Sequence, residues 1–134
     1  MNEIIEKDDI LIEDLIYEIN KVEVMFDKDL AKLYHVETKR INEAVKNNPE
    51  KFPKRFSWIL SESEWKSLRS KFSTLKNNNV GRGRYSKYLP RVFTEQGVYM
   101  LATVLKSNVA TEVSIKIMDT FVKMRQYINY NNHY

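Results

Sequence analysis

Apolar and polar positions change period several times along the chain, and each change marks an expected element. Leu15 to Phe26 reads LIYEI-NK-VEVMF, two short β-prone runs around Asn20-Lys21. Asparagine accepts the left-handed conformation that a two-residue hairpin turn needs. Asp27 then caps an expected helix over about 28–34, with Leu30, Ala31, Leu33 and Tyr34 inward and Val36 in the turn that follows. Thr38 is the expected cap of a second helix over about 39–47, whose inward residues are Ile41, Ala44 and Val45. Asn48-Pro49 ends it, because a residue before proline avoids helical dihedrals.

The middle of the chain alternates instead. Phe52, Phe56, Trp58 and Leu60 predict a strand over about 55–60, and Ser61-Glu62-Ser63-Glu64 is a capping box. That box opens a helix to about Ser73 with Trp65, Leu68 and Phe72 on its buried side. A loop over 75–86 carries three consecutive asparagines and two of the three glycines. Tyr88 to Phe93 reads as a strand, and Thr94-Glu95-Gln96 starts a helix bearing Val98, Met100, Leu101, Val104 and Leu105. Ser107-Asn108 breaks it and caps a long last helix over about 109–130, where Val113, Ile117, Phe121, Met124 and Ile128 recur at spacings of three and four. The expected fold class is α+β: a helix-turn-helix-like helical core with short strands and a long C-terminal helix. One domain spans 15–130, preceded by an acidic, flexible segment over 1–14 and followed by a short tail over 131–134.

Composition narrows the chemistry. The 134 residues are 43% apolar and 12% aromatic, enough to bury a real core. With no cysteine, and only His35 and His133 as imidazoles, neither a disulfide framework nor a zinc site is expected. The first ten residues have neither the basic start nor the apolar run of a secretory signal. No stretch approaches the roughly 18 apolar residues of a membrane span, so the expected setting is the cytoplasm.

The formal net charge of +4 conceals a polarised distribution. Between Lys39 and Arg91 lie fourteen Lys/Arg and four Asp/Glu, whereas the rest of the chain holds eight and fourteen. The excess begins on the second helix of the pair over 27–48. Its outward face is expected to show Lys39, Arg40, Asn42, Glu43, Lys46 and Asn47, with Thr38 at its start. Lysine and arginine neutralise phosphates, and Arg40 and Asn42 have the geometry for bidentate contacts to guanine or adenine. Glu43 can accept from a cytosine amino group or pair with a neighbouring cation. An ordinary helical hairpin with a solvated charged face has the same pattern, but the flanking basic segments tip the reading toward DNA. The turn position often held by glycine is His35, which must take a strained dihedral or a different turn.

Lys51, Lys54 and Arg55 follow this helix and are placed to position a phosphate backbone. Arg82, Arg84 and Lys87 belong to a basic loop over 76–87, where Gly-Arg-Gly-Arg sets two guanidinium groups on a pliable backbone suited to a groove. The competing reading of that loop is a surface segment with incidental charge. It lacks the Gly-Lys-Ser/Thr of a phosphate-cradling loop. The aromatic residues do not form a sheet face for stacking single-stranded bases, and Trp58 and Trp65 are expected in the core. Glu62 and Glu64 are explained by capping, so no catalytic role is expected. Thr94 and Glu95 are likewise a helix-start device, with Gly97 allowing close packing.

Taken in order, DLAKLYHVETKRINEAVKNN, KFPKRFSWILSESEW, LRSKF and YLPRVFTEQGVYMLATVLKS resemble the ORF6N domain of phage and prophage proteins, a family related to the KilA-N domains. The resemblance runs from about Ile16 to Ile128, and FTEQGVYML is its most distinctive block. It implies an α+β module that binds double-stranded DNA, usually at the N-terminus of longer phage regulators or antirepressor-like proteins. It implies no catalytic residue and no cofactor. The alternative is a protein-interaction module acting on a phage repressor or regulator. The apolar-faced last helix also suits a homodimer contact.

Overall fold

The computed structural model describes residues 11–75 and 88–132, with side chains placed except at 72–75 and 128–132. A 3-10 turn (Ile12–Leu15) leads into β1 (Tyr17–Ile19) and β2 (Val22–Phe26). Two helices follow, α1 (Asp27–Tyr34) and α2 (Thr38–Asn47), then a second 3-10 turn (Pro49–Lys51) and β3 (Ser57–Ile59). The chain continues through α3 (Glu62–Leu75), β4 (Arg91–Phe93), α4 (Glu95–Leu105) and α5 (Asn108–Asn132). The α+β class is the one the patterning implied. Ile12 and Leu15 pack against the core, so the packed chain starts before residue 15.

The four strands form one antiparallel sheet in the order β1-β2-β4-β3. Asn20 and Lys21 both have positive φ, 54° and 69°, and close the hairpin between paired Ile19 and Val22. A two-residue turn with both dihedrals left-handed matches the natural strand twist, and here it is made without glycine. Register then assigns each side chain to a face. Met25, opposite Phe93, points into a helical layer with Leu30, Ala31, Tyr34, Ile41, Leu101, Ile117 and Phe121. Val24, Phe26 and Val92 point the other way, against Trp65, Leu68 and Leu60. The sheet is therefore sandwiched, which explains why VEVMF ends in a continuous apolar run rather than alternating to its end. Trp65 is buried as expected, while Trp58 is half-buried at the edge of the second cluster.

Local chemistry sets the helix starts. At α3 the capping box is reciprocal: Ser61 N–H donates to Glu64 Oε1 at 2.9 Å, and Glu64 N–H to Ser61 Oγ at 3.1 Å. At α4, Thr94 Oγ1 accepts from Gly97 N–H, while its hydroxyl lies 3.2 Å from the carbonyls of both Arg55 and Phe56. Gly97 is required by contact, not by dihedral. A Cβ there would lie 2.1 Å from the Phe56 carbonyl oxygen. Ser107 Oγ accepts from Ala110 N–H and opens α5.

Two expected caps sit one residue inside their helices. Phe26 and Glu37 hold the extended cap dihedrals, and Asp27 and Thr38 are the first helical residues. The buried stripe of α5 also differs from the expected one. Ala110, Ser114, Ile117 and Phe121 are buried, whereas Val113 and Met124 are half-buried flanks. Small Ala110 and Ser114 face the core because α5 packs closely on α1, where Tyr34 Oη lies 2.7 Å from Ser114 Oγ.

Candidate nucleic-acid interface

α1 and α2 are joined by three residues. His35 adopts φ 62°, ψ 43°, the left-handed conformation for which glycine is usual. Val36 N–H reaches back to the Ala31 carbonyl at 3.0 Å, and His35 N–H to that of Lys32 at 3.3 Å. These bonds close the end of α1 and turn the chain sharply into α2. Buried Leu30, Ala31 and Tyr34 on one helix meet Ile41, Ala44 and Val45 on the other. Small alanines at 31 and 44 permit the close crossing.

With Ile41, Ala44 and Val45 inward, helical periodicity puts Lys39, Arg40, Glu43, Lys46 and Asn47 on the opposite arc, and all five are exposed. The side chains of Lys39, Arg40 and Lys46 make no hydrogen bond or ion pair among the described residues. The start of α2 has no acid in its first turn and no side-chain cap. Its free amides and its cations thus favour the same kind of partner, an anion.

Asn42 departs from the expected outward face. Its Nδ2 donates to Asp27 Oδ2 at 2.9 Å and to the Thr38 carbonyl at 3.2 Å, and its Oδ1 accepts from Arg91 Nε at 3.2 Å. Both amide protons are engaged, so the side chain is not presented for a base edge. The reason is Asp27, which is 7% exposed. A buried carboxylate must be hydrogen-bonded, and Lys28 N–H, Asn42 and Arg91 N–H supply the donors. Arg91 continues the network by donating to Ser57 Oγ at 3.0 Å. Burial pulls its guanidinium below the usual arginine range, and neighbouring Asp27 opposes that shift. The network ties α1, α2, β3 and β4 together. An arginine and a serine in otherwise apolar strands were its only sequence signal, and neither Arg91 nor Ser57 was singled out.

The remaining candidates divide. Lys51 is half-buried, and its Nζ donates to Thr103 Oγ1 on α4 at 3.3 Å, so its charge is tethered to a neighbouring helix. Lys54 and Arg55 are exposed in the turn that packs on the start of α4, and the Arg55 guanidinium lies 5.0 Å from the Phe56 ring centroid. Thr38 is half-buried beside Asn42. Arg82, Arg84 and Lys87 lie outside the described residues.

A cleft of about 1040 Å³ opens beside the start of α2. Asp27, Asp29, Thr38, Lys39 and Arg91 contribute its polar lining, and Tyr17, Phe26, Trp65 and Tyr88 its aromatic one. Burial raises the Asp29 carboxyl above its usual range, against the opposing effect of Lys32 and Lys28. Among the described residues no cluster of His, Cys, Asp or Glu could hold a metal ion, and no helix is long and apolar enough to cross a membrane.

Fold and surface together define an α+β domain that displays a cationic helix on a packed helical pair. The family model of the ORF6N domain matches residues 14–104, and the chain belongs to that family. Neither the curated proteins nor the solved structures gave a match.

Proposed function

We propose that this ORF6N domain binds duplex DNA through the outer face of α2, as the DNA-contacting module of a phage- or prophage-type transcriptional regulator or antirepressor-like protein. The observation that carries the reading is the set of exposed, unpaired Lys39, Arg40 and Lys46 on the second helix of a tight pair. Such a helix fits the major groove as the second element of a helix-turn-helix, with Arg40 the side chain best suited to a guanine edge. Lys54 and Arg55 serve as backbone contacts, and Asn42 and Lys51 position protein elements rather than touch DNA. The proposed setting is the cytoplasm of a bacterial host, and no catalytic step is assigned.

Fluorescence anisotropy with a random duplex of about thirty base pairs, at several salt concentrations, tests this. Neutralising about six phosphates gives a log–log salt slope near −5. The Lys39→Ala/Arg40→Ala protein should bind more weakly, with a shallower slope. A folded wild type that ignores duplex DNA at low salt would defeat the proposal.

A second reading has its own observation. Tyr99 on α4 and Ile115, Val122 and Tyr127 on α5 are exposed, at 60%, 57%, 40% and 70%. Apolar side chains exposed along one long helix support a protein contact, either with a second copy of the chain or with a phage regulator. Sedimentation of the wild type beside Ile115→Lys/Val122→Lys separates these readings: the substitutions abolish a dimer and leave a monomer unaffected.

A further inference from the structure

α5 has two faces, and packing within the domain accounts for one of them. Ala110, Ser114, Ile117 and Phe121 enter the core. On the arc away from them, Ile115 and Val122 remain 57% and 40% exposed. They are two turns apart and lie one above the other, as the apolar positions of a helix–helix seam do. Beside them run four exposed charges of alternating sign, Glu112, Lys116, Asp119 and Lys123. Spacings of three and four keep these charges on one flank. Glu112 to Lys116 and Asp119 to Lys123 have the order that favours ion pairs within a helix, yet among the described residues none of the four side chains makes one. Arg125, by contrast, is held by Glu95 of α4 at 2.6 Å.

The alternation is complementary to itself when reversed. Turned about the point between Ile117 and Met118, Glu112 falls on Lys123 and Lys116 falls on Asp119. Ile115 and Val122 exchange places about a point one residue further on. An unrelated partner does not need this relation. A two-fold contact does, because the same patch supplies both sides.

We propose that this face joins two copies of the chain, with their α5 helices packed antiparallel. Ile115 of each copy lies against Val122 of the other. Glu112 then pairs with Lys123 and Lys116 with Asp119 across the contact, and symmetry forms each pair twice. The aliphatic side chains supply the attraction, and the charges set direction and register. This pairing rests on the reading of α5 as a protein-contact surface and not on duplex binding by α2. An exposed ion pair adds little by itself, so neutral substitutions at Lys116 and Lys123 leave the contact nearly intact. A reversed charge sets like against like and opposes it.

Sedimentation equilibrium on the full chain, at concentrations up to about 200 μM, tests the pairing. The wild type should associate to a dimer and no further. Ile115→Lys/Val122→Lys should weaken that association at least about tenfold. Lys116→Glu and Asp119→Lys should each weaken it at least about fivefold, with the helical circular dichroism retained. Mixed in equal amounts, these two single variants should associate again, to within about twofold of the wild type. Each reversed charge then meets its opposite on the other copy, whereas a defect confined to one helix is not rescued by mixing. A monomeric wild type would overturn the pairing outright. A dimer indifferent to Ile115→Lys/Val122→Lys would overturn the reading of α5 as the contact. A dimer that those substitutions break, but that ignores charge reversal or is not restored in the mixture, would leave the α5 contact standing and overturn the antiparallel register.

Discussion

α1 passes to α2 through His35, and α4 passes to α5 through Lys106. Both residues sit in the left-handed region, at φ 62° and 49°, and neither is glycine. In both pairs the turn is short, a small residue lies on the buried face of the second helix, and one face of each helix joins the same core. The outer faces differ. α2 shows Lys39, Arg40 and Lys46 against a lone Glu43, whereas α5 mixes Lys116 and Lys123 with Glu112 and Asp119 and exposes Ile115, Val122 and Tyr127. A tight helical pair is therefore a packing solution used twice in this molecule. What distinguishes the first pair as a nucleic-acid surface is the charge on its second helix, not the turn.

The sharpest way to break the comparison is to remove the anchor of the second pair. Gly97→Ala drives a methyl group into the Phe56 carbonyl, and backbone offers no easy retreat. A loss of about 3 kcal/mol or more in urea unfolding is expected, while Gln96→Ala, exposed next door, should stay within about 0.5 kcal/mol. Equal and small effects would mean that the turn before β3 yields more readily than its packing suggests.

Charge placement is tested by a matched pair of substitutions. Lys39→Ala/Arg40→Ala should cost about 1–3 kcal/mol of duplex affinity, and Lys116→Ala/Lys123→Ala on α5 should leave affinity unchanged. If both double variants weaken binding alike, the attraction belongs to net charge and the contrast between the helices disappears.

Tyr34 joins the two pairs, since its hydroxyl meets Ser114 on α5. Burial pushes its pKa up to about 12. An unfolded tyrosine ionises near 10, so the unfolded chain releases this proton first. The contribution is thus fully present below pH ~10 and is lost as pH rises toward about 12. Tyr34→Phe should cost about 1 kcal/mol at neutral pH and flatten the alkaline fall seen in chemical denaturation. The smallest effect concerns the turns themselves. His35→Gly and Lys106→Gly each relieve a left-handed side chain and should raise stability by at most about 1 kcal/mol in thermal unfolding, offset by the greater freedom of glycine in the unfolded chain.

Much of the architecture was legible because its signals are local. The Ser61–Glu64 box, the Asn20-Lys21 turn, the proline after Asn48 and the Thr94 start all act within four residues of themselves. The two helices of the first pair could be read from apolar spacing, and so could the exposure of Lys39, Arg40, Glu43, Lys46 and Asn47, since periodicity alone decides which arc a core covers. Asn42 stands at the margin of that arc. Its direction was settled by Asp27 and Arg91, which are 15 and 49 residues away in the chain. The partner of Lys51 was hidden for the same reason, because Thr103 lies 52 residues further on.

By itself the sequence determined the elements, the α+β class, the polarised charge and membership of the ORF6N family. Each follows from patterning or from residue identities in order, which need no knowledge of distant neighbours. Only the tertiary structure decided that Gly97 admits no side chain and that Asp27, Asn42, Arg91 and Ser57 form one network. Those features arise where strands and helices far apart in sequence converge. Burial there makes a hydrogen bond obligatory or a methyl group intolerable, and nothing in either local segment announces it.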